Sequence, residues 1–428
     1  MIQKWAGVLC GVLVLVCAAV SQGSTEVSSD ELLKILKEKK VISEEDIIKA
    51  KAVEGKKAEV MVKAGTKPKS INLKGRVQVR YTSVENGDLR NVTSQNSFDQ
   101  SEFDGFSIRR MRLQIYGEAV DQWEYAIHLS ADGDHNTDRI DPASADYELK
   151  KDEVGVKVQD AYINYNPDPY FNVVFGQFKS RFSPSYLTGG TVLPLCERPL
   201  AVDKIARKRE TGISIESSLK GELDGRGHGA KQYDKPVFYA VGLYNGNSYN
   251  QMRNDNENMM LTGMLVYRPL QYINFGASYA YDQVGYDSET TSLGSATISN
   301  GKYVFNVKDG TVGTRLNIWD FNSAIDAGPA HIQIEYVQQR GECVRQYGYG
   351  VEGEYDLTDY FQLTARYDEF DPNMDTDNSL DSVWYTVGCN WFLHKHDVKW
   401  QLNYSIRNEK YGEEEDNNAL VSHFQILF

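Results

Sequence analysis

The chain has 428 residues, of which 41% are hydrophobic and 25% charged, and these proportions exclude a bundle of membrane-spanning helices. Acidic residues number 60 and basic residues 46, giving a net charge of −14 at pH 7. That balance argues against nucleic acid as a partner, because phosphate backbones attract basic surfaces. Five cysteines with no Cys-x-x-Cys pair and no Cys/His zinc spacing exclude a disulfide-rich scaffold and a zinc module.

The N-terminus carries one long apolar stretch, Trp5 to Val20, which follows Lys4 and precedes several small residues. This pattern predicts a secretory signal over residues 1–23, cleaved near residues 19–23. Cys17 opens a lipoprotein alternative, but the valines just ahead of it are poorly suited to a lipidated cysteine. We therefore expect signal cleavage and an exported protein.

Residues 24–69 are predicted to form a periplasmic helical segment and a linker. The first helix, over 30–40, carries an apolar stripe, and Ser43 with Asp46 forms a capping-box pattern before a second helix. A hairpin that packs on itself and a short coiled coil between subunits both remain open. Residues 55–69 are rich in Lys, Ala and Gly, as in a linker.

From residue 70 to residue 428 the hydrophobic period changes from 3.6 to 2, and Gly, Asn and Asp clusters divide the chain into sixteen runs. The runs begin near Ser70, Gly105, Gln122, Val156, Tyr170, Arg207, Pro236, Met259, Gln271, Thr311, Gly328, Arg345, Asp359, Leu380, Lys395 and Ala419. That is about 22 residues per run and connection, as a tilted membrane-crossing strand with its loop requires.

Short and long connections alternate along these runs. The tight links include Val120-Asp121, residues 166–169, Pro269-Leu270, Leu357-Thr358 and Leu393-His394. The long, polar, acidic links are residues 85–103, 133–155, 181–206, 284–310 and 408–417, and one long link, 220–235, falls on the short side. Short turns on one side and long loops on the other are typical of an outer-membrane barrel.

The chain ends on a strand, Ala419 to Phe428, with alternating apolar residues and a terminal aromatic. With 27 Tyr and six Trp clustered near strand ends, this favours an all-β fold: a 16-stranded antiparallel transmembrane β-barrel preceded by a short N-terminal helical segment. We expect a Gram-negative outer membrane, with outer-membrane lipid and, through Phe428, the barrel assembly machinery as partners.

Several motifs resemble the phosphate-selective porin family of the O and P type. They are Arg109-Arg110-Met111-Arg112-Leu113 with Gly117, Gln159-Asp160-Ala161-Tyr162-Ile163, Gly176-Gln177-Phe178-Lys179, Glu197-Arg198, Arg209 with Gly212, and Tyr244-Asn245-Gly246. Their order fits over residues 70–250, and the later strands fit in pattern only. The resemblance implies a homotrimer, a third loop (181–206) folded into the lumen, and basic side chains along an anion route.

The polar face of the first strand agrees with this expectation. Its basic residues neighbour those of the second strand and form a basic wall, and the resemblance adds three further positions. The expected pore-lining or anion-contact residues are Lys74, Arg76, Arg80, Arg110, Arg112, Asp160, Lys179 and Arg198. Arginine suits transient contacts with phosphate or carboxylate because its charge is permanent and its donors form a fixed fork.

Two observations argue against strict selectivity for phosphate. Thr191 stands where phosphate-selective members carry a loop lysine. Carboxylates also fall on lumen faces, namely Glu118, Asp160, Glu335, Glu352, Glu354 and Asp368. The expectation is therefore an outer-membrane porin for passive diffusion of small hydrophilic solutes that prefers small inorganic or organic anions, with strict phosphate selectivity in doubt.

Other readings remain open. A nonconducting barrel that serves as an adhesin or cell-envelope anchor is the main alternative, whereas an enzyme is not expected because no Gly-x-Ser-x-Gly elbow is present. The spacing of Asp132, Asp134, Asn136 and Asp138 is similar to the start of a calcium loop but lacks its later ligands, so neither a metal nor a cofactor is expected. Cys196 and Cys343 lie in predicted loops and are a candidate disulfide.

Overall fold

The computed structural model describes residues 60–64, 67–85, 105–131, 156–168, 170–217, 236–248, 250–251, 253–254, 258–284, 296–299, 302–305, 314–341, 344–377, 381–411 and 417–428. The predicted signal, the two predicted N-terminal helices, the calcium-like segment and most of the long acidic loops lie outside the described residues. What was expected of them stays a prediction.

Within these ranges the chain forms nineteen strands and two short helices. In chain order they are β1 (Val60–Ala64), β2 (Lys67–Val84), β3 (Gly105–Val120), β4 (Trp123–Ser130), β5 (Lys157–Asp168), β6 (Phe171–Lys179), α1 (Pro184–Leu187), α2 (Leu200–Ile205), β7 (Arg209–Glu216), β8 (Val237–Tyr244), β9 (Met260–Leu270), β10 (Ile273–Val284), β11 (Ala296–Ser299), β12 (Lys302–Phe305), β13 (Thr314–Ala327), β14 (Ala330–Gly341), β15 (Arg345–Thr358), β16 (Phe361–Asp371), β17 (Ser382–His394), β18 (Val398–Glu409) and β19 (Ala419–Leu427).

Sixteen of the described strands close into one antiparallel barrel, as predicted. Strands β2 to β10 and β13 to β19 each pair with the next one along the wall, and β19 pairs with β2. β1 pairs with β2 and β10, while β11 and β12 form a separate two-stranded sheet. Every barrel strand begins within three residues of its predicted start, because alternating hydrophobicity and turn residues are local signals.

The connections show the predicted asymmetry. Two-residue turns lie at 121–122, 271–272, 328–329 and 359–360, all at the same end of the barrel. The link from 217 to 236 is long although it belongs to that end, as the sequence indicated. At the other end the link over 342–344 is short, so the alternation has one exception on each side.

The two faces of each strand have the reverse polarity of a soluble sheet. On β2 the outward Leu73 and Val79 are 62% and 39% exposed, whereas the inward Gln78 is 0% exposed. Gln78 donates to Oε1 of Gln425 at 2.5 Å. An apolar exterior over a polar, hydrogen-bonded interior is the arrangement of a barrel that faces lipid. No helix among the described residues is long and apolar enough to cross a membrane.

The barrel closes where the last residue meets the first barrel strand. The backbone N–H of Gly75 donates to a main-chain oxygen of Phe428 at 2.6 Å, and the N–H of Phe428 donates to the carbonyl of Gly75 at 3.0 Å. A Cβ on residue 75 would lie 2.3 Å from the Phe428 ring. Gly75 therefore leaves the space that the terminal aromatic fills.

Candidate functional site

The third loop, residues 180–208 between β6 and β7, folds into the barrel, close to the predicted 181–206. Helix α2 packs against β14, β15 and β16 on the inner wall. The apolar side chains of the loop form a buried cluster with residues of that wall, namely Phe182, Tyr186, Leu200, Ala201, Val202, Ile205 and Ala206 with Ala280, Ile318, Val337 and Phe370. Burial of this apolar surface holds the loop against one side of the lumen.

Carboxylates on the same side receive hydrogen bonds from the loop. Ser183 donates to Oε1 of Glu335 at 2.5 Å, and Ser185 donates to Oε2 of the same side chain. The backbone N–H of Leu200 donates to Asp368 at 3.0 Å. Glu335 and Asp368 are buried, so these acids anchor the loop and do not line the water-filled space.

Loop carbonyls receive hydrogen bonds from the strands that follow along the wall, β18, β19 and β2. Lys399 and Gln401 of β18 donate to the carbonyl of Leu193 at 2.9 and 3.1 Å. Gln425 of β19 donates to the carbonyl of Thr191 at 3.1 Å, and Gln78 of β2 donates to that of Gly190 at 3.1 Å. A non-helical backbone inside the barrel needs such donors because buried carbonyls are costly to leave unpaired. Side chains along one continuous arc of the wall, from β14 to β2, therefore fix the path of the loop.

Three arginines converge on one loop carboxylate, Glu197. Arg109 donates from Nε to Oε1 at 2.6 Å, Arg110 donates from Nη2 to Oε2 at 3.1 Å, and Arg80 donates to Oε1. Burial alone would raise the pKa of the Glu197 carboxyl, but Arg109, Arg80 and Arg110 outweigh that effect and hold the pKa well below its ordinary value. The carboxylate is therefore ionised under ordinary conditions.

A β-bulge brings Arg109 into the lumen. In the pairing of β2 with β3, Gln78 stands opposite Arg110 and Val79 stands opposite Ile108, so Arg109 has no partner residue on β2. Two adjacent residues of β3 can then bond to the same lumen group. Strict alternation predicted only Arg110 and missed Arg109, although the resemblance motif contains both.

Lys179 and Arg198 hold the third loop. Lys179 donates to the carbonyls of Tyr186, Leu187 and Thr188 at 2.8, 2.9 and 3.1 Å, which occupies the three donors of an ammonium group. Arg198 donates to the carbonyls of Ser185 and Thr188 at 3.1 and 2.6 Å, and burial lowers its pKa. The geometry gives Lys179 a loop-fixing role, and its expected contact with an anion stays a prediction.

Asp160 lies at the centre of a second ionic cluster. Arg209 of β7 donates to both of its carboxylate oxygens at 2.8 and 3.2 Å, and Nδ1 of His128 lies 2.8 Å from Oδ2. The neighbouring Gln159 occupies another bulge, between the pairs His128–Asp160 and Leu129–Val158. Arg209 belongs to one of the motifs that resemble the family, but neither it nor His128 was expected at this site.

Three predicted residues complete the basic wall. Arg76 and Arg112 stand opposite each other on β2 and β3, and both are partly exposed. A Cβ on Gly190 would lie 3.5 Å from Nη1 of Arg76 and 3.6 Å from Nε of Arg110, so this wall faces the tip of the loop. Lys74 is exposed and lies over the ring of Tyr116, 4.9 Å from its centroid. The structure thus brings Lys74, Arg76, Arg80, Arg110 and Arg112 onto one side of the barrel.

The two cysteines that the structure describes, Cys196 and Cys389, lie outside this wall. Cys196 is buried in the third loop, and burial raises the pKa of its thiol to about 12. Cys343 lies outside the described residues, so its pairing with Cys196 stays a prediction. Cys389 pairs in register with Leu363 and Leu402 on the outward face of the barrel. Within the described chain, no group of three His, Cys, Asp or Glu side chains could hold a metal ion.

A closed sixteen-stranded barrel with an apolar exterior and an inward-folded third loop defines a porin of the outer membrane. The family model described as phosphate-selective porin O and P matches residues 71–428. The chain therefore belongs to that family. Both findings indicate a channel rather than an enzyme.

Individual relatives agree with this assignment. An uncharacterized protein of Aquifex aeolicus is 25% identical over 435 residues, covering 93% of this chain and 94% of its own. The anion-selective porin from Comamonas acidovorans has a TM-score of 0.53 at 10% identity, covering 84% of this chain and 100% of that one. OmpT of Vibrio cholerae, solved in its trimer form, has a TM-score of 0.51 at 10% identity, covering 84% and 99%. At these identities the two structures show the shared fold.

Proposed function

We propose that this porin forms a passive diffusion channel for small hydrophilic solutes and prefers small anions, phosphate among them. The observation that carries this proposal is the unequal burial of charge inside the barrel. Carboxylates on β13 to β16 are buried, namely Asp320, Glu335, Glu352, Glu354 and Asp368. The basic wall of β2 and β3 keeps Lys74 exposed and Arg76 and Arg112 partly exposed. The exposed charges of this wall are therefore mainly basic, with Glu118 of β3 as an exposed acid beside them.

This arrangement supports anion passage for two reasons. Arginine stays charged at any ordinary pH and offers forked donors that match oxyanions. A narrow lumen with low-dielectric walls also focuses the field of its exposed charges and raises the local concentration of counter-ions. Several modest contacts in series allow an ion to enter and also to leave.

Thr191 supports a general anion preference over strict phosphate selectivity. Its carbonyl accepts from Gln425, and its neighbour Gly190 lies beside Arg76 and Arg110. A lysine at position 191 would add another cation next to these two arginines. Without that cation the site has fewer donors for a fully coordinated phosphate.

The test is single-channel conductance of the purified protein in a planar bilayer, with reversal potential in a KCl gradient. Stepwise currents with a reversal potential on the anion side are expected, with block by added phosphate in the millimolar range or above. Arg112→Ala should shift the reversal potential toward cation passage. The control is Lys395→Ala, an equal charge change in the exposed turn between β17 and β18. A cation-selective wild-type channel would refute the preference.

One observation favours a second function. The third loop is hydrogen-bonded to β2, β14, β16, β17, β18 and β19, so it occupies the lumen along a continuous arc of the wall. A nonconducting barrel that acts as an adhesin or cell-envelope anchor is the corresponding proposal. Absence of conductance from a correctly folded barrel would support it over the channel.

Assembly and processing belong to the same proposal. The homotrimer is supported by the trimer form of OmpT, and native mass spectrometry in detergent tests it. The proposed order of the chain is a signal over 1–23, a periplasmic segment over 24–69 and the barrel over 70–428. N-terminal sequencing of protein from outer membranes is expected to begin near residues 20–24.

A further inference from the structure

The three arginines that bind Glu197 outnumber its single carboxylate. Arg80, Arg109 and Arg110 all donate to this one group, through both of its oxygens. Arg110 also donates to Gln78 at 3.1 Å. Three guanidinium groups aimed at two oxygens form the kind of site that binds a phosphate or carboxylate anion.

Glu197 is the most exposed side chain of this cluster. It is 39% exposed, whereas the side chains of Arg80, Arg109 and Arg110 are 9%, 24% and 4% exposed. An anion in the lumen therefore meets Glu197 before it meets Arg80 or Arg110. Glu197 also belongs to the third loop, whose neighbouring carbonyls at Leu193 and Pro194 are fixed by β17 and β18. The carboxylate is tethered in place.

We infer that Glu197 is a tethered counter-anion that occupies an oxyanion site formed by Arg80, Arg109 and Arg110, and that it lowers the affinity of the pore for phosphate. This inference rests on the proposed anion channel and deepens it. The three arginines contribute positive potential, but their donors toward the lumen already bind Glu197. A diffusing oxyanion would be attracted without being trapped, which suits rapid passage.

Glu197→Gln separates these two effects. The amide has nearly the same size and reach as the carboxylate but carries no charge and only one acceptor oxygen. The arginines would then keep their positions while losing their counter-charge. The expected result is a half-blocking phosphate concentration about tenfold to a hundredfold lower than in wild type, since charge-assisted hydrogen bonds become available to the solute.

Glu335→Gln is the matched control. Glu335 also holds the third loop, but it accepts its hydrogen bonds from the hydroxyl groups of Ser183 and Ser185 and from the amide of Gln333. If Glu197 acts only by fastening the loop, both variants should change phosphate block in the same way. A gain of block in Glu197→Gln alone supports the counter-anion, and an equal gain in both refutes it.

A double variant tests the arginines directly. Glu197→Gln combined with Arg109→Gln removes one of the three arginines of the site, and most of the gained phosphate block should be lost.

Inorganic phosphate binding to the detergent-solubilised variants, measured by calorimetry, gives the same comparison without requiring conduction. A wild-type barrel that does not conduct would end the proposed channel, yet tighter phosphate binding by Glu197→Gln would still support the counter-anion. Phosphate binding that is unchanged in a folded Glu197→Gln barrel would overturn it.

Discussion

Arg109 donates from Nε to Oε1 of Glu197 at 2.6 Å, although the alternation of its strand assigns it to the outward face. The bulge between the Gln78–Arg110 and Val79–Ile108 pairs makes this contact possible. One extra residue in β3 adds a third guanidinium to the loop carboxylate without using another strand. The basic wall is therefore denser at the loop than the sequence pattern suggests.

Arg109→Gln is expected to reduce anion over cation permeability by about twofold to fivefold, the effect of removing one partly exposed, screened charge. Glu197 would keep Arg80 and Arg110 as partners, so the loop should stay in place. Reversal potential in a KCl gradient measures the change. Lys395→Gln, an equal change of charge outside the lumen, should have little effect. An identical shift in both variants would mean that the lumen position of Arg109 has no special influence.

Lys179→Met is expected to loosen the third loop. It leaves three carbonyls, those of Tyr186, Leu187 and Thr188, without their donor, at a cost of about 2 to 4 kcal/mol for the loop conformation. The methionine keeps an unbranched side chain of similar length, so the main loss is the ammonium group. Faster trypsin cleavage within residues 180–208 and noisier single-channel currents are the expected signs.

The control for this variant is Lys208→Met. Lys208 lies in the same loop, but its side chain is 46% exposed and its ammonium lies 3.8 Å from Asp203, and an exposed ion pair of this kind contributes little. Because trypsin can cleave after Lys208, a site lost by the substitution must be discounted in the comparison. Equal loosening of the loop in both variants would contradict the loop-fixing role that we assign to Lys179.

Features of the barrel that depend on neighbouring residues in the sequence could be predicted, whereas features that depend on the folded loop could not. Strand positions followed from alternation and turn residues, as at Gly105, Arg345 and Ala419, where predicted and observed starts coincide. The basic wall followed from the parity of β2 and β3. The role of Lys179 could not be predicted in this way, because it depends on where the folded third loop places its backbone carbonyls. The bulge at Arg109 was also beyond a strictly alternating pattern.

The ionisation of Glu197 gives a prediction for pH. Its pKa lies well below the ordinary value of 4.5 because the arginines outweigh burial. A lowered pKa means that the carboxylate contributes fully above 4.5 and loses its contribution only as the pH falls through the lowered value. The difference in reversal potential between wild type and Glu197→Gln should therefore stay constant from pH 7 to about 4.5.

The same comparison removes the contribution of other acids, since both proteins share them. The two reversal potentials should converge only when the pH falls well below 4.5, through the lowered pKa at which Glu197 becomes protonated. Convergence already between about pH 6 and 5 would show that the arginines do not hold the carboxylate ionised. Chloride is the appropriate anion for this series because phosphate itself titrates near neutral pH.

The contact between Phe428 and Gly75 yields a prediction about barrel closure that is separate from transport. Gly75→Val would place branched carbons where the Phe428 ring lies, since even a Cβ falls 2.3 Å from it. The ring would have to move, and the paired hydrogen bonds between the two backbones would weaken. A lower temperature of barrel unfolding is expected, measured by the loss of heat-modifiable migration on a denaturing gel.

Phe428→Ala keeps the backbone hydrogen bonds between residues 75 and 428, so this variant should unfold closer to wild type in detergent. It should accumulate less in cells if the terminal aromatic guides assembly. A Phe428→Ala barrel that reaches the outer membrane in wild-type amounts would confine the role of this aromatic to packing.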